Sequence, residues 1–290
     1  MQIQEKQRVT SQWFQLLRDK ICVEFEKIEE EFFAKNAGKF IRKNWERDGG
    51  GGGEMSLMKG NVFEKVGVNF SKVCGEFSEE FRAQIPGTEK NGAFWASGIS
   101  LVAHMKSPLV PAVHMNTRFI CVGQGLSRYA STGKNWFGGG ADLNPMIEVE
   151  ADTRDFHAAF QAACDKASPD YYVKFKKWCD EYFFIKHRGV ARGVGGIFYD
   201  YLESNPADDF EKNFDFTKNV GLAFLEIFPQ LVRRHMHEKW TDDQREIQLK
   251  KRGLYAEFNL LYDRGTKFGL MTGGNAEAIL MSLPPVVIWE

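Results

Sequence analysis

The chain has 290 residues, 43% of them hydrophobic, and a formal net charge of −1. That length supports a sizeable core in one large domain or two smaller ones, and the near-zero charge excludes the global basic field of a nucleic-acid-binding protein. Any anion must be held by local arginines rather than drawn in by long-range steering.

Residues 5–36 place Trp13, Leu16, Leu17, Ile21, Phe25, Ile28 and Phe32 at helical spacing with charges between them, which predicts an amphipathic helix. Asp48 and a run of five glycines, 49–53, follow. A flexible linker and a loop in close approach to a ligand are both open there, while a phosphate loop is excluded because no Gly-Lys-Ser/Thr follows. Residues 61–86 hold a strand. Two strands over 97–105 and 112–122 come next.

The second of these contains Pro111-Ala-Val-His-Met-Asn-Thr-Arg118. Strand side chains alternate, so Val113, Met115, Thr117 and Phe119 share one face and His114, Asn116 and Arg118 the other. In the first strand, Ser100, Val102 and His104 share a face. A symmetric hairpin would set His104 opposite His114 and Ser100 opposite Arg118, giving a polar patch that holds an anion. After a connection at 123–135, Trp136-Phe-Gly-Gly-Gly-Ala-Asp-Leu-Asn-Pro145 reads as a strand. Its glycines mark close approach by a backbone or a ligand. Asp142 is either functional or a turn residue before Asn144-Pro145.

Helices are expected over 152–166 and from Ser168-Pro169 to a stop near Lys186-His187-Arg188-Gly189. A strand over 195–202 and a helix over 208–239 follow. Thr241-x-x-Gln244 is a capping box opening a helix to about 251. The runs 254–262 and 266–271 read as strands flanking a hairpin loop at Asp263-Arg264-Gly265, and 276–282 as a short helix. Paired strands with long helices between them predict an α+β single domain on a large, mainly antiparallel sheet rather than a repeating βαβ pattern.

Five widely spaced cysteines without a C-x-x-C motif indicate reduced thiols, no apolar run reaches membrane-spanning length, and no targeting presequence is visible. A cytoplasmic protein is expected. Of six histidines, His235 and His237 are read on a solvated helix face, whereas His104, His114, His157 and His187 are candidates for a site. None of those four forms H-x-H, H-x-x-x-H or H-E-x-x-H spacing, so spacing does not establish a metal. From the residues alone the reading stops at an anion-binding enzyme of unknown reaction.

Longer motifs carry further information. Gly60-Asn-Val-Phe-Glu-Lys-Val-Gly-Val-Asn-Phe-Ser71, the 111–118 segment, Phe137-Gly-Gly-Gly-Ala-Asp-Leu-Asn-Pro145, Lys176-Lys-Trp-Cys-Asp180, Arg192-Gly-Val-Gly-Gly-Ile-Phe198, Glu257-Phe-Asn-Leu-Leu-Tyr-Asp-Arg-Gly-Thr266 and Ile279-Leu-Met-Ser-Leu-Pro284 resemble the oxygen-dependent coproporphyrinogen III oxidases along nearly the whole chain. The resemblance implies a homodimer and a large antiparallel sheet with helices on both faces. It implies oxidative decarboxylation of two propionates of coproporphyrinogen III to vinyls, with O₂ as co-substrate and no organic cofactor. It implies no required metal, although bacterial members have been described with metal-ligand histidines, at positions matched by His104, His114, His157 and His187.

By the same resemblance, His114 matches the proton donor, and Ser100, Asn116, Thr117, Arg118, Gly273, Gly274 and Asn275 match substrate-binding positions. Arg118 and Arg192 would clamp carboxylates, and Asp142 would accept hydrogen bonds from pyrrole N–H groups or take a proton from one. The family commonly has arginine where this chain has Asn275 and Ile288, so Arg118, Arg188, Arg192 or Arg264 is expected to compensate.

Overall fold

The computed structural model describes residues 1–83, 85–89, 91–123, 133–203, 207–271 and 273–289. A long helix α1 (Ile3–Phe33) opens the chain and buries Phe14, Leu17, Ile21, Phe25 and Ile28, the stripe that the helical spacing requires. Six strands follow: β1 (Ile41–Glu46), β2 (Gly51–Met58), β3 (Phe63–Glu76), β4 (Ala93–Met105), β5 (Ala112–Val122) and β6 (Asn135–Asn144), with a short helix α2 (Glu79–Arg82) between β3 and β4. Then come α3 (Glu150–Asp165), α4 (Tyr171–Tyr182), the two-residue strands β7 (Phe184–Ile185) and β8 (Val190–Ala191), and β9 (Gly195–Glu203). The chain continues through α5 (Ala207–His235), α6 (Asp242–Leu261), α7 (Arg264–Met271) and α8 (Ala276–Leu280).

One antiparallel sheet of seven strands runs in the order β1-β2-β3-β4-β5-β6-β9, so β4 lies at its centre. Its two faces differ. On one, Val66, Val68, Phe70, Ile99, Leu101, Val113, Met115, Phe119, Phe137 and Ile197 pack against α1 and α5 in a continuous apolar core. Burying each such side chain contributes on the order of 1.5–3 kcal/mol. The other face carries Ser100, His114, Asn116, Arg118 and Asp142, with α6, α7 and α8 arranged around it. Helix α4 crosses the β9 edge: Phe175 meets Tyr199 on the core face, while Tyr182 stacks on Phe198 on the other. That covers an edge strand which would otherwise offer unpaired backbone groups.

Several expectations are corrected. The glycine run is neither linker nor ligand loop. Residues 47–51 turn the β1–β2 hairpin, with Gly50 and Gly51 at φ 107° and 82°, and Gly51–Gly53 belong to β2. The hairpin register is Val102 opposite His114 and Ser100 opposite Asn116, two residues from the symmetric expectation. A shift of two preserves the face, so the polar patch survives the error.

Helix α4 starts two residues later than expected, at Tyr171 after Asp170, and ends at Tyr182. Lys186–Gly189 is instead the turn of the β7–β8 hairpin, with Gly189 at φ 67°. The largest correction concerns 254–262 and 266–271, which are the end of α6 and all of α7, not strands. The buried positions Gln248, Arg252, Tyr255, Ala256, Phe258 and Asn259 recur at three- and four-residue spacing, and the capping box at Thr241 and Gln244 starts the helix that continues through them. His235 is not on a solvated face: it is buried, with Nδ1 on Glu238 and Nε2 on Asp152, both at 2.7 Å.

Candidate active site

Alternation along β5 buries Val113, Met115, Thr117 and Phe119 and leaves His114, Asn116 and Arg118 half-buried on the opposite face. Pairing with β6 sets His114 opposite Asp142, Asn116 opposite Gly140 and Arg118 opposite Gly138. A hydrogen-bonded row results. Arg118 Nη1 donates to Asn116 Oδ1 at 3.1 Å, Asn116 Nδ2 donates to His114 Nε2 at 3.0 Å, and His114 Nδ1 donates to Asp142 Oδ1 at 2.8 Å. Asn144 Nδ2 donates to Asp142 Oδ2 at 2.9 Å. The carboxylate keeps the imidazole proton on Nδ1, so Nε2 presents its lone pair.

Asp142 ends the row deep in the protein. Arg192 Nη2 lies 2.7 Å from Oδ1, and Arg192 Nε donates to Oδ2 at 3.1 Å. The Arg192 guanidinium sits over the rings of Phe183, Tyr255 and Phe258 at 4.0, 4.6 and 4.7 Å, and Nη1 donates to Asn259 Oδ1 at 3.0 Å. The side chains of Arg192 and Asp142 are 2% and 1% exposed. Burial alone would raise the Asp142 pKa, but the Arg192 charge and the His114 hydrogen bond outweigh it and pull the pKa down to about 2. Asp142 is therefore a strand residue held as an anion, not a turn residue. Arg192 is fully engaged in that pair and is not free to clamp a propionate.

The opposite end of the row is open. Ser100 is exposed although it sits on the central strand, so none of the described residues covers the middle of this face. Asn69, Gly98, Asn116 and Arg118 around it are half-buried. Beyond Arg118 the floor becomes apolar, with Val73, Ala96, Ile120 and Trp136 beside Tyr201 and with Phe268 of α7. Polar groups in the middle and apolar groups at one end suit a large amphipathic anion.

The remaining candidates divide. Thr117 faces the helix-covered core, fully buried, and its Oγ1 has no hydrogen-bond partner among the described residues. Asn275 caps α8, accepting from the Ala278 N–H at 3.0 Å, and the Gly273–Gly274 turn precedes it. Helix α8 lies over β3, where Asn69 Nδ2 donates to the Ala278 carbonyl at 2.8 Å, so this turn borders the same face as Ser100. Among the four arginines expected to compensate for Asn275 and Ile288, Arg192 is tied to Asp142, and Arg188 forms a two-point pair with Glu257 at 2.6 and 2.9 Å. Arg118 and Arg264 remain, and both point at Asp200, at 2.7 and 3.5 Å.

The four histidines do not converge. His104 is buried, its Nε2 donates to the Ser282 carbonyl at 2.9 Å, and burial pushes its pKa down to about 3. His157 Nε2 donates to the Val194 carbonyl and Nδ1 accepts from Tyr172. His187 in the β7–β8 turn meets Tyr262 and Glu257. Among the described residues no group of three or more His, Cys, Asp or Glu side chains is arranged to hold a metal, so the four do not fit a shared ion. Sequence reading missed Asp200, Asn259 and the Phe183–Tyr255–Phe258 cage. The available signal for Tyr255, Phe258 and Asn259 was helical spacing: they share a face only if 254–262 is a helix.

A family model described as coproporphyrinogen III oxidase matches residues 9–290. The oxygen-dependent coproporphyrinogen-III oxidase of Rickettsia bellii (strain OSU 85-389) is 61% identical over 288 residues, covering 98% of this chain and 99% of its own. The proteins of the same description from Rickettsia akari (strain Hartford) and Rickettsia rickettsii (strain Sheila Smith) are 60% and 58% identical, each over 98% of both chains.

Proposed function

The chain belongs to the coproporphyrinogen III oxidase family, and on that premise we propose how its own residues carry the reaction. The protein is an oxygen-dependent oxidase of coproporphyrinogen III in haem biosynthesis. For each propionate converted, R–CH₂–CH₂–COO⁻ with one proton and O₂ gives R–CH=CH₂, CO₂ and H₂O₂. Two electrons and one hydrogen leave the substrate and, with the added proton, reduce O₂ to H₂O₂, so the electron-rich tetrapyrrole itself is the reductant.

The observation that carries the assignment of roles is the exposed Ser100 at the centre of the sheet, beside a row ending in a buried carboxylate. Ser100, Asn116 and Arg118 hold a propionate there, with Arg118 supplying a planar donor fork. His114 Nε2 exchanges the proton, meeting a substrate N–H that takes the place of the Asn116 amide. Asp142 does not act as the base itself. Its oxygens are occupied by Arg192, His114 and Asn144, and it stays ionised, so it orients His114 and stabilises the imidazolium that forms. Arg192 in turn fixes Asp142.

O₂ is the co-substrate, and neither an organic cofactor nor a bound metal takes part. The separate hydrogen-bond networks of His104, His114, His157 and His187 support that reading. The chain acts as one domain, since α1 and α6–α8 lie against the same sheet, and as a homodimer in the cytoplasm. Exposed Leu260, Leu261, Leu270, Met271, Val286 and Trp289 near the C-terminal end favour a self-association surface, and five unpaired cysteines suit a reducing compartment. No helix among the described residues is long and apolar enough to cross a membrane.

The test is turnover of coproporphyrinogen III in air with a chelator present, repeated under argon, for the wild type and His114→Gln. Product is expected in air only and despite the chelator. His114→Gln should lower kcat by about 10²–10⁴-fold, the usual range for a lost acid–base group, with KM retained. A His114→Gln kcat close to wild type would remove the proton role. Activity lost to the chelator and restored by one metal would overturn the metal-free reading.

A further inference from the structure

Opposite the buried His114–Asp142–Arg192 end, the open end of the row stops at Asp200. Asp200 Oδ2 lies 2.7 Å from Arg118 Nη2 and 3.5 Å from Arg264 Nη2, although the carboxylate is only 8% exposed. The two arginines come from different parts of the fold, Arg118 from β5 and Arg264 from the start of α7.

The backbone under Asp200 is irregular. Phe137 pairs with Leu202 and Gly139 with Tyr199, so Asp200 and Tyr201 together oppose the single residue Gly138. That is a β-bulge, a device that re-aims side chains at the rim of a sheet. Tyr201 adopts φ 51°, the one positive φ among the described non-glycine residues, and its N–H donates to Asp200 Oδ1 at 3.0 Å. A bulky residue in this region is strained unless its surroundings demand it. Gly138 makes the room: a Cβ there would lie 2.7 Å from Asp200 Oδ1 and 2.9 Å from Arg118 Cζ.

Bulge, strained tyrosine and glycine clearance all serve one outcome, a carboxylate fixed between two guanidinium groups at the mouth of the site. We infer that Asp200 is a positioning residue that holds Arg118 and Arg264 as a matched pair for one substrate propionate. One negative charge between two positive ones leaves a net single positive charge, the complement of one carboxylate. With Nη1 on Asn116 and Nη2 on Asp200, Arg118 is fixed at both ends of its fork, while 28% of its side chain stays exposed. Arg264 is the looser partner, 48% exposed and at the longer distance, so it is the arm that a propionate draws over.

This inference rests on the reading that Arg118 binds a propionate, and the experiment separates the two. Steady-state kcat and KM for coproporphyrinogen III would be measured on the full chain as Asp200→Asn, Arg118→Ala, the double variant and Gly138→Ala. Asp200→Asn should raise KM about tenfold, the loss of one charge-assisted hydrogen bond's orienting effect, and leave kcat within about threefold. In the Arg118→Ala background the same substitution should change KM little, because its effect passes through Arg118. Gly138→Ala should raise KM similarly with Asp200 still present.

An Asp200→Asn KM within about twofold of wild type, while Arg118→Ala raises KM, would overturn the inference and leave the propionate reading of Arg118 standing. Additive effects of the two substitutions, or a loss in kcat alone, would also overturn it. An unchanged KM in Arg118→Ala would overturn both readings. Equal melting temperatures across the set separate positioning from a general loss of structure.

Discussion

Glu29 and Asp142 are two of the buried carboxylates, and their surroundings differ. Glu29 on α1 is fully buried and accepts hydrogen bonds from the backbone N–H groups of Asn61, Val62 and Phe63 at 2.7, 2.8 and 2.9 Å. Asp142 is as deeply buried and equally well satisfied, but its partners are Arg192, His114 and Asn144. Amide donors cannot change charge, so the Glu29 socket is a clasp between α1 and the turn into β3. An imidazole can exchange a proton, and His114 still shows 13% of its side chain to solvent. Burial and satisfaction are common to both, so they do not carry the catalytic reading proposed for Asp142. That reading rests on the titratable partner with an open far side.

The comparison breaks most sharply at Asp142. Asp142→Asn keeps the shape but leaves the buried Arg192 without its counter-charge and frees His114 to take either tautomer. Activity should fall by about 10²–10⁴-fold, and breaking a buried pair should cost about 3–5 kcal/mol in denaturant unfolding. Near-normal kcat in the folded variant would return Asp142 to the structural class.

Glu29→Gln should do the reverse. It turns an amide N–H₂ toward a socket of donors and should lower stability by about 1–3 kcal/mol while kcat of the folded enzyme stays unchanged. A kcat loss would show that the clasp reaches the site.

The smallest effect concerns acid. His104 is held near 3 against an ordinary 6.5, so above 6.5 it is neutral in both states and costs nothing. As pH falls from 6.5 toward 3 the unfolded chain takes up a proton that the folded one refuses, and stability declines. Asp142, held near 2 against 3.8, contributes stability above 3.8 that is lost as pH falls toward 2. His104→Asn should therefore flatten the stability profile between 6.5 and 4 by up to one proton, read as the pH slope of the unfolding free energy. An unchanged slope would mean His104 is not the group responsible.

Much of this was legible in the residues. The alternation in 111–118 put His114, Asn116 and Arg118 on one face, and the face survived a register error because a slip of two keeps side chains on their own side. Leu254–Tyr262 reads as a strand because an apolar-rich run of that length satisfies both the strand and the helix period, and Asp263-Arg264-Gly265 mimics a hairpin turn. That single error hid Tyr255, Phe258 and Asn259, and with them the true setting of Arg192. The long family motifs nonetheless carried the reaction, since they are ordered strings that do not depend on assigning each element correctly.

The α+β class, the polar face of β5, the capping box at Thr241 and Gln244 and the family can all be read from the residues alone. Which arginine serves which carboxylate cannot be read there and emerges from the folded arrangement. Arg192 looked like a propionate clamp and is sealed onto Asp142, 50 residues away, while Arg118 and Arg264 converge on an unsuspected Asp200. The reason is physical: periodicity and capping are local and can be read within a dozen residues, whereas charge pairing follows from which strands and helices become neighbours after the sheet has closed.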